Sequence, residues 1–412
     1  MLNNENRYLF KFAWKSILRN AGRSFFISFS VALAVVIAIW VTAFFEGMNS
    51  QIEQAVVNTN MGHFQIQDPV YARTTDSSSP LEWTPGIAQG LKEPFIKGVS
   101  PELVLDANIS TPEGSAALTV LGVVPDLHAE FLPIKENITS GAFTEKNDEF
   151  GVVIGQELAT LFKFNVGDQL VINYQDIMGE LRSELLNIKG IYHYNSKGFE
   201  KKFVYINQKS WQQLFFSAYT GKVLFNRIAL MTTGLKEEPL LQKRFEGTEL
   251  KLKTWKNLNP EMAVVLDFHA GMISFFYLII GITITMTILT PVRMLWQERL
   301  SELRMMTVIG ISQKKLWKFG LFEVLQMILF SASLSIFLAV SIIGTQSYTG
   351  IDFRYLSDGV AIERAGINLP GIIYPQLSLN HLVVTFLFVV FVLSVSYLWS
   401  IHSTLKKLEA EL

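Results

Sequence analysis

The chain has 412 residues, 50% hydrophobic and 17% charged, with a formal net charge of −1 and no cysteine. That is too apolar for an ordinary soluble globule and too charged for a bundle made only of membrane spans, so a membrane protein with a sizeable aqueous domain is expected. Near-zero net charge removes the electrostatic case for nucleic acid, and the lack of cysteine removes disulfides, thiolate zinc ligation and thiol catalysis.

Residues 1–23 read as an amphipathic helix on the cytoplasmic leaflet. Leu9, Phe10, Ala13, Trp14 and Ile17 recur on one face, while Arg7, Lys11, Lys15 and Arg19 lie largely on the other. An uncharged run from Ser24 to Phe45 follows, predicting a first span over 24–46. It is too long for a signal-peptide core and no small-x-small cleavage site closes it, so it reads as an uncleaved span.

From 47 to 268 the pattern changes to short alternating strands punctuated by Gly, Pro and Asp. Examples are His63–Gln67, Ala117–Leu121, Gly151–Ile154, Gln169–Ile172 and Phe203–Ile206, with helical pieces such as Gln156–Phe162 between them. This is an α+β domain, and its polar stretch Arg73–Pro80 reads as a loop. Its flanks look helical: Glu46–Asn58 continues the helix period, and Asn259-Pro260 supplies an N-cap and a first-turn proline. The helix from Pro260 runs into a second span at 269–293, with Pro291 expected to remove one hydrogen bond and kink it.

A charged cassette at 294–317 comes next, followed by a third span at 318–345, a loop at 346–380, a fourth span at 381–402 and a short tail at 403–412. Each apolar run has about 20 residues, which at 1.5 Å per residue crosses a hydrocarbon core of about 30 Å. Basic residues set the orientation. Arg7, Lys11, Lys15, Arg19 and Arg23 precede the first span, and Arg293, Arg299, Arg304, Lys314, Lys315 and Lys318 crowd the cassette. Both termini and the cassette are therefore expected inside, and the large domain outside. Glu323, in the first turns of the third span, reads as a residue that snorkels or pairs with Lys315 or Lys318, the alternative being a functional intramembrane carboxylate.

No catalytic pattern appears. The six histidines are dispersed with no HExxH spacing, and there is no GxxxxGK[ST] phosphate loop and no GxSxG elbow. Energy, if used, has to come from another chain.

Several stretches carry a family likeness. The cassette Glu298-Arg299-x-x-Glu302-Leu303-x-x-Met306-x-x-Ile309-Gly310, the stretch Val153-Ile154-Gly155-Gln156-Glu157-Leu158-Ala159 followed by Val166-Gly167-Asp168, and Met61-Gly62-His63-Phe64-Gln65-Ile66 are the clearest. With Gly350-Ile351-Asp352 and Tyr374-Pro375, the chain resembles the permease subunits of the lipoprotein-releasing, MacB-like and FtsX-like ABC transporters, closest to the lipoprotein-releasing branch. The likeness implies an α-helical membrane protein with four transmembrane helices plus a large α+β periplasmic domain inserted between helices 1 and 2. It implies residence in a bacterial inner membrane, as a non-catalytic subunit with no cofactor of its own, ATP and Mg being bound by a partner.

The implied partners are a cytoplasmic ABC ATPase dimer, a second permease subunit (identical or sister), membrane lipids, and a periplasmic carrier, lipoprotein or adaptor. ATPase movements would be transmitted to the external domain for lipoprotein release or envelope lipid trafficking. The alternatives are a MacB-like efflux permease and an FtsX-like signalling scaffold that activates a periplasmic partner. ATPase coupling would fall on Glu298, Arg299, Glu302, Arg304, Met305, Met306 and Gly310, with 294–317 as the coupling helix. Substrate contact would fall on Phe44, Phe45, Met48, Met272, Phe275 and Phe276.

Overall fold

The computed structural model describes residues 4–410 apart from 20, 79, 147, 195, 217–220, 299, 355–362, 365–366 and 369–370; some helical side chains, those at 287–293 and 298 among them, also lie outside the description. The chain divides into two compact units. One comprises Met1–Ser50, Leu266–Phe353 and Ile372–Leu412; the other comprises Gln51–Val265 and Arg354–Gly371.

The first unit is helical. Its N-terminal helix spans Asn4–Arg19, and three long helices span Ala21–Val56, Pro260–Glu298 and Gln313–Thr349. Segments of all three long helices are long and apolar enough to cross a membrane. A fourth long helix spans Leu379–Ala410 and includes the apolar stretch Leu382–Val392. Hydrocarbon offers a backbone no hydrogen-bond partner, so an apolar run of this length is stable there as a helix that satisfies its own amides.

Side chains at four-residue steps on the first long helix, Ile27, Val31, Val35 and Ile39, pack with Val324, Met327, Ile328, Ala339 and Ile343 of the third. The second and fourth helices meet where Tyr277 and Thr385 share a hydroxyl hydrogen bond of 2.6 Å and Phe388 covers Gly281. The helix from Pro260 begins where sequence places it, with Asn259 Oδ1 accepting from the Met262 N–H at 3.2 Å. It runs unbroken past Pro291, so the expected kink does not end the helix.

The Glu323 carboxylate is buried and accepts from the Ser16 hydroxyl of the N-terminal helix at 3.3 Å. The N-terminal helix covers that turn of the third long helix, which removes the carboxylate from solvent.

The second unit is built on strands. Six of them close on themselves: Ile96–Thr111 pairs with Gly114–Val123, then come Phe203–Asn207, Gly151–Gly155, Leu181–Tyr192 and Gln169–Gln175, and the last returns to the first. Closure leaves this part of the sheet without a free edge. Two-residue alternation explains the inside and the outside. Leu103, Leu105, Ala107 and Ile109 join Leu118, Val120, Val152, Ile154, Leu170, Ile172, Leu186, Ile188, Val204 and Ile206 in one core, into which Trp211 and Phe215 also pack. The intervening Val104, Leu121, Val153, Tyr192 and Tyr205 face a second core. Arg227–Thr232, Phe64–Gln67 and Lys251–Thr254 extend the sheet from Ile96–Thr111.

The first long helix enters this unit. It ends through a π-turn at Val57–Met61, where Thr59 leaves helical geometry and Gly62 takes φ 63°. A Cβ at Gly62 would meet the Leu230 carbonyl at 2.5 Å, so the Met61–Ile66 signature is a helix-to-strand exit that glycine makes. The Arg73–Pro80 stretch is more ordered than expected at its start, where Tyr71–Thr74 forms a short helix whose Tyr71 N–H donates to Asp68 Oδ1 at 3.0 Å.

The Val153–Ala159 signature also has a packing cause. Gly155 lies where an added Cβ would sit 2.2 Å from the Glu200 carbonyl oxygen, and Leu158 and Ala159 of the helix Gln156–Phe162 are buried in the closed core. Gly155→Ala is therefore expected to destabilise the strand-rich unit by about 1–3 kcal/mol. The check is its resistance to protease in the full chain on heating.

Candidate functional site

Within the expected cassette at 294–317 the described backbone is helical on both sides of Arg299, which lies outside the described residues. The second long helix continues to Glu298, a nine-residue helix spans Leu300–Val308, and the third long helix starts at Gln313. Between the last two, the Ile309 and Gly310 N–H groups donate to Met305 and Thr307 carbonyls, and Gly310 adopts φ 97°. A side chain is strained in that backbone region, so Gly310 ends the short helix and turns the chain.

Three side chains fasten the short helix and its exit to the bundle. Met306 and Ile311 pack against the apolar core of the first and third long helices. Glu302 then meets Arg19 at the end of the N-terminal helix: Arg19 Nη2 donates to both carboxylate oxygens at 2.7 Å. The two side chains are 59% and 46% exposed, so water screens the pair and its effect lies in position more than stability. Met305, Val308 and Ile309 remain outward, 65%, 78% and 74% exposed. A cavity of about 430 Å³ lies beneath the ion pair, lined in part by Phe12, Ser16, Met305, Met306 and Phe319.

Of the expected coupling residues, Glu302, Arg304, Met305, Met306 and Gly310 thus sit on one short helix and its exit, with Arg304 exposed. The Glu298 side chain and Arg299 lie outside the described residues. Arg19, Val308 and Ile309 share this surface, although they are not among the expected coupling residues. Arg19 was legible as one more basic residue of the N-terminal helix, but its carboxylate partner is 283 positions away.

The expected substrate residues are only partly brought together. Phe44, Phe45 and Phe276 form an aromatic row with Trp40, His269 and Phe353, at ring-centroid separations of 5.6 to 5.9 Å. His269 Nδ1 lies 2.9 Å from Asn49 Oδ1. Phe275 points elsewhere and is 62% exposed, while Met48 and Met272 are half-buried outside the row. Beside the row, Gly47 admits the Tyr374 carbonyl to 2.1 Å of where a Cβ would stand, and the Gln376 N–H donates to the Ala43 carbonyl at 2.9 Å. The segment Tyr374–Gln376 is thereby laid against the first long helix.

Titratable groups in the strand-rich unit form ion pairs of structural type. Glu102 is fully buried and accepts from Arg227 Nε at 2.7 Å, with His128 Nδ1 at 3.5 Å and the Ser100 hydroxyl 2.8 Å from that same nitrogen. Burial pushes the Glu102 carboxyl up, but Arg227 and His128 outweigh it and hold the group below its ordinary value. Glu200 goes the other way: burial raises it, partly offset by backbone N–H groups of Tyr194 and Glu157 and by His193. Among the described residues no group of three or more metal-capable side chains comes together.

The closed strand circuit, its signature glycines and the attached apolar helices define a class. The family of the MacB-like periplasmic core domain matches residues 24–237, just over half the chain. The chain belongs to that family, the MacB/LolC-like permeases.

Among individual proteins, it is similar to the lipoprotein-releasing system transmembrane protein LolC from two Xylella fastidiosa strains. One is 20% identical over 211 residues, covering 48% of this chain and 49% of the relative. The other is 23% identical over 164 residues, covering 38% and 37%. The chain thus spans about half or less of the length of these curated relatives. The periplasmic region of MacB from Actinobacillus actinomycetemcomitans is similar at 9% identity and a TM-score of 0.35, covering 52% of this chain and 98% of that one. The extracellular domain of the noncanonic ABC-type transporter YknZ from Gram-positive bacteria is similar at 11% identity and a TM-score of 0.30, covering 46% and 98%. Likeness at that level leaves the assignment resting on the family match.

Two outcomes are expected. A double-mutant cycle on Arg19→Gln and Glu302→Gln, read by thermal unfolding, gives a coupling below about 1 kcal/mol that shrinks with salt. Glu102→Gln costs about 3–5 kcal/mol at neutral pH, because it leaves Arg227 buried without its counter-ion. In the unaltered chain, Glu102 has a folded pKa below its unfolded one. Its stabilisation is therefore present above the ordinary value of 4.5 and is lost as pH falls through the lower folded value. Acid unfolding of the strand-rich unit should lose that component in Glu102→Gln.

Proposed function

We propose that the chain is the permease subunit of an ABC transporter with four membrane-spanning helices, whose strand-rich domain stands outside the inner membrane between the first two. A separate ATPase dimer docks on the short helix Leu300–Val308, and its closure is passed along the long helices to that domain. The observation that carries this reading is the surface of the short helix. It presents Met305, Val308 and Ile309 to solvent while Met306, Ile311 and the Arg19–Glu302 pair hold it to the bundle. Exposed apolar side chains on a fastened helix, among charged neighbours, suit a groove on a partner protein.

The two long helices that flank the external domain suit transmission, because a continuous hydrogen-bonded helix moves as one element. The Ala21–Val56 helix has 36 residues and the Pro260–Glu298 helix has 39. ATP and Mg belong to the partner, and two permease chains complete the complex. The curated relatives carry the name of a lipoprotein-releasing system, which supports acylated protein as the cargo class. The aromatic row of Phe44, Phe45 and Phe276 is the surface proposed to meet its acyl chains.

Co-expression with an ATPase of the family tests the docking role. Val308→Glu and Ile309→Glu together, or Gly310→Pro, should reduce ATPase recovered with the purified chain at least about tenfold, while membrane insertion and protease resistance of the strand-rich unit stay unchanged. Undiminished recovery from both variants would contradict it.

A further inference from the structure

The N-terminal helix does not bury its whole apolar face. Ala13 is buried, and Leu9, Ser16 and Ile17 are half-buried, but Phe10 and Trp14 are left 37% and 47% exposed. These two side chains form one wall of a groove of about 740 Å³ whose other wall is Leu329 and Phe330 of the third long helix. Lys11 and Lys15, one helical turn apart, also line it. Among the described residues neither lysine has a carboxylate partner, whereas Arg19 of the same helix is committed to Glu302.

Gln326 adds a second, independent feature. It lines the same groove and is 4% exposed. Its Nε2 donates to the Phe10 carbonyl at 2.9 Å, but its Oε1 has no donor. A buried amide oxygen without a partner costs free energy and calls for a hydrogen-bond donor from whatever fills the groove.

We infer that this groove is a binding site for one anionic phospholipid bearing headgroup hydroxyls, of the phosphatidylglycerol type. An acyl chain fills the apolar channel between Phe10, Trp14, Leu329 and Phe330, the phosphate meets Lys11 and Lys15, and a hydroxyl donates to Gln326 Oε1. The charge selects the occupant: an ethanolamine ammonium would also donate to Gln326, but it would stand against two lysines. An apolar protein segment would fill the channel but leave both lysines unmatched. The inference rests on the helices lying in a membrane and does not depend on the docking of an ATPase.

Trp14 supplies the readout. The full chain in neutral detergent is titrated with brominated phosphatidylglycerol or brominated phosphatidylcholine, and the fluorescence quenching lost in Trp14→Phe is taken as the groove signal. The unaltered chain should reach half-quenching at roughly tenfold or more lower phosphatidylglycerol than phosphatidylcholine. Each lysine contributes about fivefold, so Lys11→Gln with Lys15→Gln should bring the two lipids together. Lys11→Arg with Lys15→Arg should keep the preference, and Gln326→Leu should weaken phosphatidylglycerol alone.

Equal quenching by both lipids, or a preference that survives lysine neutralisation, would overturn the assignment. Full competition by glycerol 3-phosphate would mean a free-phosphate site instead. A groove signal that fell as protein concentration rose would mean a second copy of the chain covers it. ATPase recovery, measured on the same variants, should be unaltered, so failure of the lipid site and failure of the docking role give different results.

Discussion

Hydrocarbon cannot hydrogen-bond a peptide group, and the architecture follows from that constraint. Among the described residues three helices are long and apolar enough to cross it, and strand pairing begins where the Ala21–Val56 helix has ended at Thr59 and Gly62. The exit is built from glycine because the Leu230 carbonyl stands where a Cβ would be. Beyond it the strands close on themselves, so that few of their amides are left unpaired.

Two ion pairs of similar length then have opposite consequences. Arg19–Glu302 and Arg227–Glu102 are both 2.7 Å long, but the first is half in water and the second is enclosed. Screening leaves the exposed pair easy to break, as suits a contact between the N-terminal helix and a short helix proposed to meet a partner. Enclosure makes the other pair costly to break, so it fixes how Arg227–Thr232 lies beside Ile96–Thr111. The same reasoning separates Lys11 and Lys15 from Arg19: identical in charge sign and helical spacing, they differ in what faces them.

Much of this was legible from residue patterns. Period-two alternation located Ala117–Leu121, Gly151–Ile154 and Phe203–Ile206, each of which lies within a strand, and Asn259-Pro260 marked a helix start. Composition called for apolar helices beside an α+β domain. What escaped was long-range. Nothing near Glu323 in sequence names Ser16 as its partner, and nothing near Glu302 names Arg19. The stop at Gly310 with Ser312 was legible in the cassette, and the chain turns there with a left-handed glycine. Phe275 parts from Phe276 because adjacent residues on a helix point about 100° apart, so the two cannot face one way. The family signatures were real, but Gly155 and Gly62 turned out to serve close backbone packing rather than chemistry.

The proposed coupling requires the short helix and the strand-rich domain to lie on opposite sides of the membrane. The absence of cysteine makes single-cysteine labelling clean. Leu181 is 87% exposed in the strand-rich unit and Val308 is 78% exposed on the short helix. With a membrane-impermeant maleimide, Leu181→Cys should label once the outer envelope is opened. Val308→Cys should label only after the inner membrane is breached, and should be shielded by bound ATPase. Labelling of both positions from the same side would contradict the account.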